Sequence, residues 1–335
     1  VAAFKKGPDY IDPLWLAQAA GNPCYNLDFY TMPRTEIETL FMARLQGADI
    51  GVIEGNKGLY DGLDLDGSNS NAALAALLGA PVILVIDAQG MTRGIAPLIL
   101  GYQAFDSNIR IAGVILNKVG GARHEAKLRR VIEHYTEVPV IGAVRRAPDL
   151  EIRERHLGLM PSNESATSAE RIEAIRKAVA DQVMVDDLRR IAEVAPPVGR
   201  GEAIPARPPR AVPDLRVGIA QDEACGFYYA DDLETLQAAG AELVPFSPVC
   251  DPALPQVDAL FIGGGFPEVR MAQLEANSSL RREIRGFIEQ GGPVYAECGG
   301  LMYLARSLSW RGRRCEMVGV VPADAVMYER PQGRG

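Results

Sequence analysis

Short runs of β-branched and aliphatic residues alternate with helical patterns along most of the chain. In the first half, strand-length runs such as "ADIGVIEG", "APVILVIDA" and "IRIAGVILNKV" are separated by helical patterns such as "SNAALAALLGA" and "ARHEAKLRRVIEHY". This order is typical of βαβ units, whose strands lie parallel. The runs are apolar throughout, as expected for parallel strands buried on both faces. The sequence therefore predicts an α/β fold with mostly parallel sheets flanked by helices.

A proline-rich stretch divides the chain. Its 335 residues exceed the usual size of one domain. Residues 196–214, "PPVGRGEAIPARPPRAVPD", can form neither a helix nor a central strand, because proline lacks the amide that both require. After this stretch the alternation restarts with "LRVGIAQD" and "DDLETLQAAGA". We predict a first domain over residues 1–195, a linker over 196–214 and a second domain over 215–335.

Bulk properties narrow the class of protein. The formal net charge of −8 argues against non-specific nucleic-acid binding, which needs an excess of Lys and Arg to neutralise phosphates. No apolar run is long enough to span a membrane. The cysteines form no CxxC pair or disulfide framework, which fits a reducing compartment; they are Cys24, Cys225, Cys250, Cys298 and Cys315. We expect a cytoplasmic protein.

The stretch "YAECGGLMYLA", residues 295–305, places a cysteine between a strand-like run and a helical pattern opened by two glycines. A nucleophile on such a strand-to-helix turn is exposed, and the helix N-terminus favours both a thiolate and an oxyanion. Gly299 allows close backbone approach, and the glycine turn at 263–265 is a candidate second half of an oxyanion hole. The alternative is that Cys298 is a small buried apolar side chain.

Acidic side chains follow two predicted strands in the first half. The segments are "FKKGPDYIDP", residues 4–13, and "IEGNKGLYDG", residues 53–62. Ligands of open parallel sheets collect beyond the carboxyl ends of the strands. Carboxylates there, namely Asp9, Asp12, Glu54 and Asp61, are candidates to hold Mg²⁺ that bridges nucleotide phosphates. The alternative is ordinary turn and capping chemistry.

Together, "FIGGGFPE" and "YAECGGLMYL" resemble the class I glutamine amidotransferase domain of the cobyrinic acid and cobyric acid synthase families. The resemblance implies that Cys298 forms a thioester with glutamine and releases ammonia, with Gly264 and Gly299 as oxyanion donors. It also implies a histidine base downstream of the cysteine. All three histidines, His124, His134 and His156, precede the linker. We therefore expect this domain to be truncated at its C-terminal end.

Nearly the whole chain resembles the cobyrinic acid a,c-diamide synthase family, through the two acidic segments followed by "APVILVIDAQGM", "IAGVILNKV" and "ERHLGLMPSNE" in the same order. The resemblance implies a P-loop, dethiobiotin-synthetase-like domain that phosphorylates a tetrapyrrole carboxylate with ATP in cobalamin biosynthesis. Ammonia then displaces phosphate. The residues implied are Asp9, Glu54 and Asp61 in catalysis, Asp9 and Glu54 at Mg²⁺, Tyr10 at the substrate, and Lys5 and Asn117 at the nucleotide.

Two features depart from the family pattern. No P-loop, G-x-x-x-x-G-K-[ST], is present, and the chain begins at Val1 inside a strand-like run, so we expect the P-loop to lie outside this chain. The other departure is the polar pair Asn56 and Lys57, where many corrin-amidating relatives carry apolar residues. We predict that Lys57 contacts a carboxylate of the tetrapyrrole, the alternative being a solvated surface lysine.

Several alternatives remain open at the level of sequence. The amidated tetrapyrrole can be sirohaem or sirohydrochlorin instead of cobyrinate. A nucleotide-dependent binding module shares the parallel sheet, although the cysteine domain argues against it, and a simple cysteine hydrolase leaves "FKKGPDYIDP" unexplained. Cobyric acid synthase is a nearer alternative whose acceptor-domain segments are not found. The predicted partners are glutamine, ATP and a tetrapyrrole polycarboxylate, and the oligomeric state is open, with a homodimer as one option.

Overall fold

The computed structural model describes residues 1–155, 158–165, 167–196, 215–329 and 332. These residues divide into two compact units. The first lies within Val1–Arg153 and Thr167–Ile204, and the second within Glu154–Ala166 and Pro205–Gly335. Of the predicted linker, only Pro196 falls among the described residues.

The first unit is built from alternating strands and helices, as the sequence predicts. Its elements are β1 (Ala2–Lys6), α1 (Ile11–Ala20), β2 (Cys24–Leu27), α2 (Arg34–Leu45), β3 (Gly51–Glu54), α3 (Asn71–Leu78), β4 (Val82–Asp87), α4 (Ile95–Phe105), β5 (Ile111–Val119), α5 (Ala122–Tyr135), β6 (Val140–Arg145), α6 (Ser168–Gln182) and α7 (Val185–Glu193).

The strands of this unit form two parallel three-stranded sheets, in the orders β2–β1–β3 and β4–β5–β6. In the first sheet Lys5 of β1 is the register partner of Asn26 on one side and of Glu54 on the other. In the second sheet Asp87 pairs with Asn117. Parallel pairing thus places these polar residues side by side where the strands end.

The expectation that parallel strands are buried on both faces is wrong for the outer strands of the two sheets. Val52 on β3 is 52% exposed and Val85 on β4 is 63% exposed. Each of these strands has a neighbour on one side only. By contrast, the central strand β5 carries fully buried side chains, including Val114 and Leu116, against Leu128 of α5.

The second unit combines a four-stranded and a three-stranded sheet. Its elements are β7 (Glu154–Arg155), β8 (Gly158–Leu159), β9 (Leu215–Ala220), α8 (Ala230–Ala238), β10 (Ala241–Phe246), β11 (Ala259–Ile262), α9 (Pro267–Ala276), α10 (Ser278–Glu289), β12 (Val294–Ala296), α11 (Gly299–Leu304), β13 (Ala305–Trp310), β14 (Arg313–Glu316) and β15 (Val321–Val326). The larger sheet, β10–β9–β11–β12, is parallel throughout.

The smaller sheet has the order β14–β13–β15, in which β13 pairs antiparallel with β14 and parallel with β15. The predicted α/β class with mostly parallel sheets flanked by helices is confirmed. Across the described residues, we find no helix with both the length and the apolar character that a membrane crossing requires.

Removing the Phe4 ring should destabilise the first unit. Phe4 is fully buried in β1, with its ring centroid 4.8 Å from that of Phe41 and 6.4 Å from that of Tyr25. Phe4→Ala should therefore lower the free energy of unfolding by about 3–5 kcal/mol, through lost burial and a residual cavity. Urea denaturation followed by circular dichroism measures the change. The control Tyr30→Ala, at a side chain 85% exposed, should stay within about 0.5 kcal/mol of wild type.

Candidate active sites

A buried ammonium group lies at the carboxyl ends of β1 and β3. The Lys5 side chain is only 3% exposed. Its Nζ lies 2.6 Å from Asp12 Oδ2, 3.3 Å from Glu54 Oε2 and 3.8 Å from Asp9 Oδ2. It also donates to the Gly55 carbonyl at 3.2 Å. Three of the four sequence-predicted carboxylates, Asp9, Asp12 and Glu54, therefore lie around one cation.

Burial and mutual interactions shift the pKa values of the groups in this cluster. Burial acts to lower the pKa of Lys5, but the hydrogen bond with Asp12 and the charges of the three carboxylates raise it above its ordinary value. Burial, and then the charge of Asp12, raise the pKa of Asp9. Desolvation also raises the pKa of Glu54, against the opposing effect of Lys5. Because one ammonium faces three carboxylates, the cluster can accept a further cation.

Two asparagines hold the loops that carry this cluster. Asn26, buried in β2, donates from Nδ2 to the carbonyls of Gly7 and Asp9 at 2.9 and 2.7 Å. Asn71, at the start of α3, accepts from the Asn56 amide and donates to the carbonyls of Asn56 and Gly58. Sequence reasoning missed both residues. The signal for Asn26 was a lone amide inside the apolar run "CYNL".

The remaining sequence-predicted residues of the first unit are more dispersed. Asp61 lies in an exposed loop, where its Oδ2 accepts from the Gly58 amide at 2.9 Å. Lys57 is exposed and adopts a left-handed backbone conformation, with φ of 49°. Tyr10 directly follows Asp9 and caps the N-terminus of α1. Asn117 lies near the end of β5 on the other sheet, where its Oδ1 accepts from the Lys118 amide at 2.9 Å.

The described histidines lie in the first unit. His124 accepts from the Gly120 amide at Nδ1, at 3.2 Å, which leaves Nε2–H to donate to the Met91 carbonyl at 2.7 Å. This side chain thus ties the loops after β4 and β5 together. His134 contacts the neighbouring Tyr135 ring edge-on. His156 lies outside the described residues.

In the second unit, Cys298 lies at the turn between β12 and α11, as predicted. It is exposed, and its backbone has φ of 47° and ψ of −116°. A non-glycine residue with positive φ is strained, and such strain is common at turns that present a nucleophile. The alternative of a buried cysteine is wrong for this position. The helix that follows has only six residues, so its dipole adds little at the thiol.

The backbone segments around Cys298 pack closely against one another. A Cβ at Gly300 would lie 2.1 Å from the Ile262 carbonyl oxygen, and a Cβ at Gly265 would lie 2.1 Å from that of Ala224. Only glycine fits at these two positions. A Cβ at Gly264 would lie 3.4 Å from Cys298 Cβ. The turn that carries the cysteine and the turn after β11 are therefore in direct contact.

Backbone amides near the thiol are available as hydrogen-bond donors. Within the part of the chain that the structure describes, the amides of Gly265 and Gly299 have no backbone acceptor, whereas Gly264 pairs with Phe227 in an antiparallel β-bridge. Gly299 lies against the Gly265 amide, since a Cβ at Gly299 would be 2.9 Å from Gly265 N. Unpaired amides beside an exposed nucleophile suit an anionic tetrahedral intermediate.

The α/β fold and the comparisons with known proteins define a glutamine-hydrolysing ligase of the amidotransferase class. Family models agree, since one described as an AAA domain matches residues 33–153 and one described as a CobB/CobQ-like glutamine amidotransferase domain matches residues 216–335. The chain belongs to the cobyrinate a,c-diamide synthase family, and the predicted family membership is confirmed.

Three relatives named cobyrinate a,c-diamide synthase illustrate the match. The protein from Magnetococcus marinus is 46% identical over 100% of this chain and 73% of its own length. Those from Methanothermobacter thermautotrophicus and Dehalococcoides mccartyi are 42% and 41% identical, over 99% and 98% of this chain and 74% and 72% of their own lengths.

The raised pKa of Asp9 predicts a pH-dependent effect of Asp9→Asn. Between the unfolded and folded pKa values the folded state binds more protons, so the stability that this carboxyl contributes is lost as pH rises through that interval. Asparagine cannot ionise, yet it keeps the Oδ1 that accepts from the Ile11 amide at 2.8 Å. The free energy of unfolding of Asp9→Asn relative to wild type should therefore increase between about pH 4 and about pH 7.

Urea denaturation at a series of pH values measures this difference, with Asp61→Asn in an exposed loop as the control substitution. A difference for Asp9→Asn that stays flat or shrinks toward neutral pH would contradict the predicted direction.

Proposed function

We propose that this protein catalyses ATP- and glutamine-dependent amidation of the a- and c-carboxylates of cobyrinate, in cobalamin biosynthesis. The observation that carries the proposal is the exposed Cys298 in close contact with the glycine turn at Gly264 and next to Gly299, in one chain with the carboxylate cluster around Lys5. Glutamine, ATP and the tetrapyrrole are the proposed substrates. The family name and the amidotransferase and AAA domains support this assignment.

In the glutaminase half, the Cys298 thiolate attacks the side-chain amide carbon of glutamine. The carbonyl oxygen becomes an oxyanion, which the amides of Gly264 and Gly299 are proposed to stabilise, with Gly265 as an additional donor. Collapse of the intermediate, with transfer of a proton to the leaving nitrogen, releases ammonia and leaves a thioester on Cys298. Water then attacks the thioester carbon, and glutamate leaves as the thiol is restored.

In the synthetase half, a carboxylate oxygen of the tetrapyrrole attacks the γ-phosphorus of ATP, and ADP leaves. The resulting acyl phosphate has a good leaving group, so ammonia attacks its carbonyl carbon and phosphate departs with the former carboxylate oxygen. Each step develops negative charge on phosphate oxygens, which a cation held by the carboxylates beside Lys5 would balance. Lys5 itself is proposed to lie at the nucleotide. Asn117, at the end of β5, is proposed to contact the nucleotide.

The cluster around Lys5 also suits Mg²⁺ in the chemistry of its donors. Magnesium prefers oxygen ligands and commonly takes one or two carboxylates together with phosphate oxygens. Asp9 and Glu54 supply such oxygens, and with Asp12 they place three carboxylates around one ammonium. Among the described residues, no set of three or more His, Cys, Asp or Glu side chains is already arranged for a metal.

When bound, Mg²⁺ would neutralise phosphate charge, and Asp9 and Glu54 are the residues proposed to hold it. Tyr10 and Lys57 are proposed to contact the tetrapyrrole. Asp61 is proposed to orient substrate from the same side of the unit, through the loop that it shares with Gly58.

Replacing Cys298 should remove glutamine-dependent amidation but leave ammonium-driven amidation intact. Cys298→Ala in the full-length enzyme should lower glutamine-dependent amidation by about a thousandfold or more, because the nucleophile is lost. Amidation driven by ammonium chloride should stay within about twofold of wild type, since the synthetase half is untouched. Cys250→Ala, at another exposed cysteine, is the matched control and should leave both activities unchanged.

Product analysis by mass spectrometry, with cobyrinate, sirohydrochlorin and sirohaem offered separately, identifies the acceptor. Amidation of cobyrinate twice is the expected result, whereas preference for sirohydrochlorin or sirohaem would overturn the choice of acceptor. Light scattering on the same preparation tests the proposed homodimer. Glutamine-dependent activity retained by Cys298→Ala would overturn the role of the cysteine.

Neutralising Lys57 tests its proposed contact with the acceptor. Lys57→Met should raise the KM for the tetrapyrrole by about tenfold, the loss expected for one charge-assisted contact, and leave the KM for glutamine unchanged. Both side chains experience the same left-handed backbone, so the comparison isolates the charge. Lys127→Met, at an exposed lysine on α5, is the control. An unchanged KM for the tetrapyrrole, or an equal rise in the KM for glutamine, would show that Lys57 is a solvated surface residue that does not contact the acceptor.

A further inference from the structure

The chain passes into the second unit earlier than the proline-rich stretch suggests. Arg153 and Thr167 belong to the first unit, whereas Glu154–Ala166 between them belongs to the second. Within this segment Pro161 and Ser162 are buried, and short turns close at 161–164 and 162–165. A stretch of chain whose neighbours on both sides lie in the first unit is therefore packed as part of the glutaminase unit.

Asn163 is the polar contact of this segment with a loop of the second unit. Its Nδ2 donates to the Asp222 carbonyl at 2.7 Å. The same nitrogen lies over Gly226, where a Cβ would come within 2.6 Å of it. Asn163 thus contacts both the start and the end of the loop at 222–226.

The Asp222 side chain fixes the same loop from within. Its Oδ1 accepts from the amides of Ala224 and Cys225 at 2.7 and 3.0 Å. Its Oδ2 accepts from Ser247 Oγ and the Val249 amide at 2.8 and 2.7 Å. With its carboxylate held in this way, Asp222 presents its carbonyl to Asn163 in a defined direction.

The loop then reaches the candidate oxyanion hole. The amides of Gly226 and Phe227 both donate to the Gly264 carbonyl, at 3.0 and 3.1 Å. In a trans peptide the C=O and the following N–H point in opposite directions. Fixing the Gly264 carbonyl therefore turns the Gly265 amide away from the loop, and this amide lies close to Gly299, beside Cys298.

We propose that Asn163 is a positioning residue for glutamine hydrolysis, acting through the loop at 222–227 on the peptide between Gly264 and Gly265. The proposal rests on the proposed role of Cys298 as the glutaminase nucleophile. Asn163 touches neither the thiol nor the glycine amides, so it acts by fixing their geometry. A donor stabilises an oxyanion only when it already points at the position where the charge develops. A loop that is held at both ends keeps the Gly265 amide in that orientation.

This role predicts a specific kinetic pattern for Asn163→Ala in the full-length enzyme. The kcat for glutamine hydrolysis should fall by about tenfold, a part of the hundredfold or greater loss that follows removal of an oxyanion donor itself. The KM for glutamine should change by less than about twofold, because the substrate contacts are intact. Ammonium-driven amidation by the same preparation should keep its wild-type rate, which shows that the protein is folded.

Asn163→Asp keeps the shape of the side chain and removes the Nδ2 donor, so it should show the same loss of kcat. Asn22→Ala is the matched control, since Asn22 Nδ2 also donates to a backbone carbonyl, that of Ala20, at an exposed site in the first unit. It should leave glutamine hydrolysis unchanged.

Three results would overturn the proposal: a kcat for Asn163→Ala within about twofold of wild type, a wild-type kcat for Asn163→Asp, or a parallel loss of ammonium-driven amidation. Cys298→Ser, measured alongside, distinguishes this failure from failure of the proposed function. If Cys298→Ser abolishes glutamine hydrolysis while Asn163→Ala keeps it, only the positioning role is wrong. If Cys298→Ser retains glutamine hydrolysis, the proposed nucleophile is wrong.

Discussion

A buried ammonium group needs negative partners, and this requirement shapes the candidate site of the first unit. Lys5 is almost fully enclosed, and an unpaired charge in that position would cost several kcal/mol or more. Its partners come from the first turn of α1 and from the end of β3, which are distant in sequence. The loops beyond β1 and β3 are held together by this electrostatic requirement, which leaves one ammonium surrounded by three carboxylates.

Close packing of the backbone shapes the candidate site of the second unit. Around Cys298 the closest approaches are between backbone atoms, at Gly265 and Gly300, and they leave no room for a side chain. The strained conformation of Cys298 is tolerated because its neighbours on β11 and β12 are paired in register. The candidate site of the first unit thus consists of charged side chains. In that of the second unit, glycines lack side chains, so backbone amides lie next to an exposed thiol. The two arrangements suit the two proposed halves of the amidation, in which the first would balance phosphate charge and the second would stabilise an oxyanion.

The sequence was most informative where a pattern is local. The run before Cys298 and the glycines after it predicted the strand, the turn and the short helix that the structure has. Strand patterns placed Asp9 and Glu54 beyond neighbouring strand ends, where both approach Lys5. It was less informative where a role depends on contacts distant along the chain. Asn26 and Asn71 hold loops through carbonyls that no sequence pattern identifies. The His124 imidazole likewise accepts from one loop and donates to another, and no sequence pattern identifies these contacts.

The path of the chain through Glu154–Ala166 bears on how such an enzyme can be divided into pieces. A single cut within the proline-rich stretch would leave Asn163 on the N-terminal fragment and its partner Asp222 on the C-terminal one. The two catalytic halves are therefore not interchangeable modules joined end to end. A glutaminase excised from residue 215 onward would lack part of its own framework, and a peptide covering 154–166 would have to be supplied in trans to complete it. Gene fission at the apparent domain boundary would thus make one product dependent on the other, and a fusion that swaps in a foreign glutaminase would have to exchange this internal segment as well.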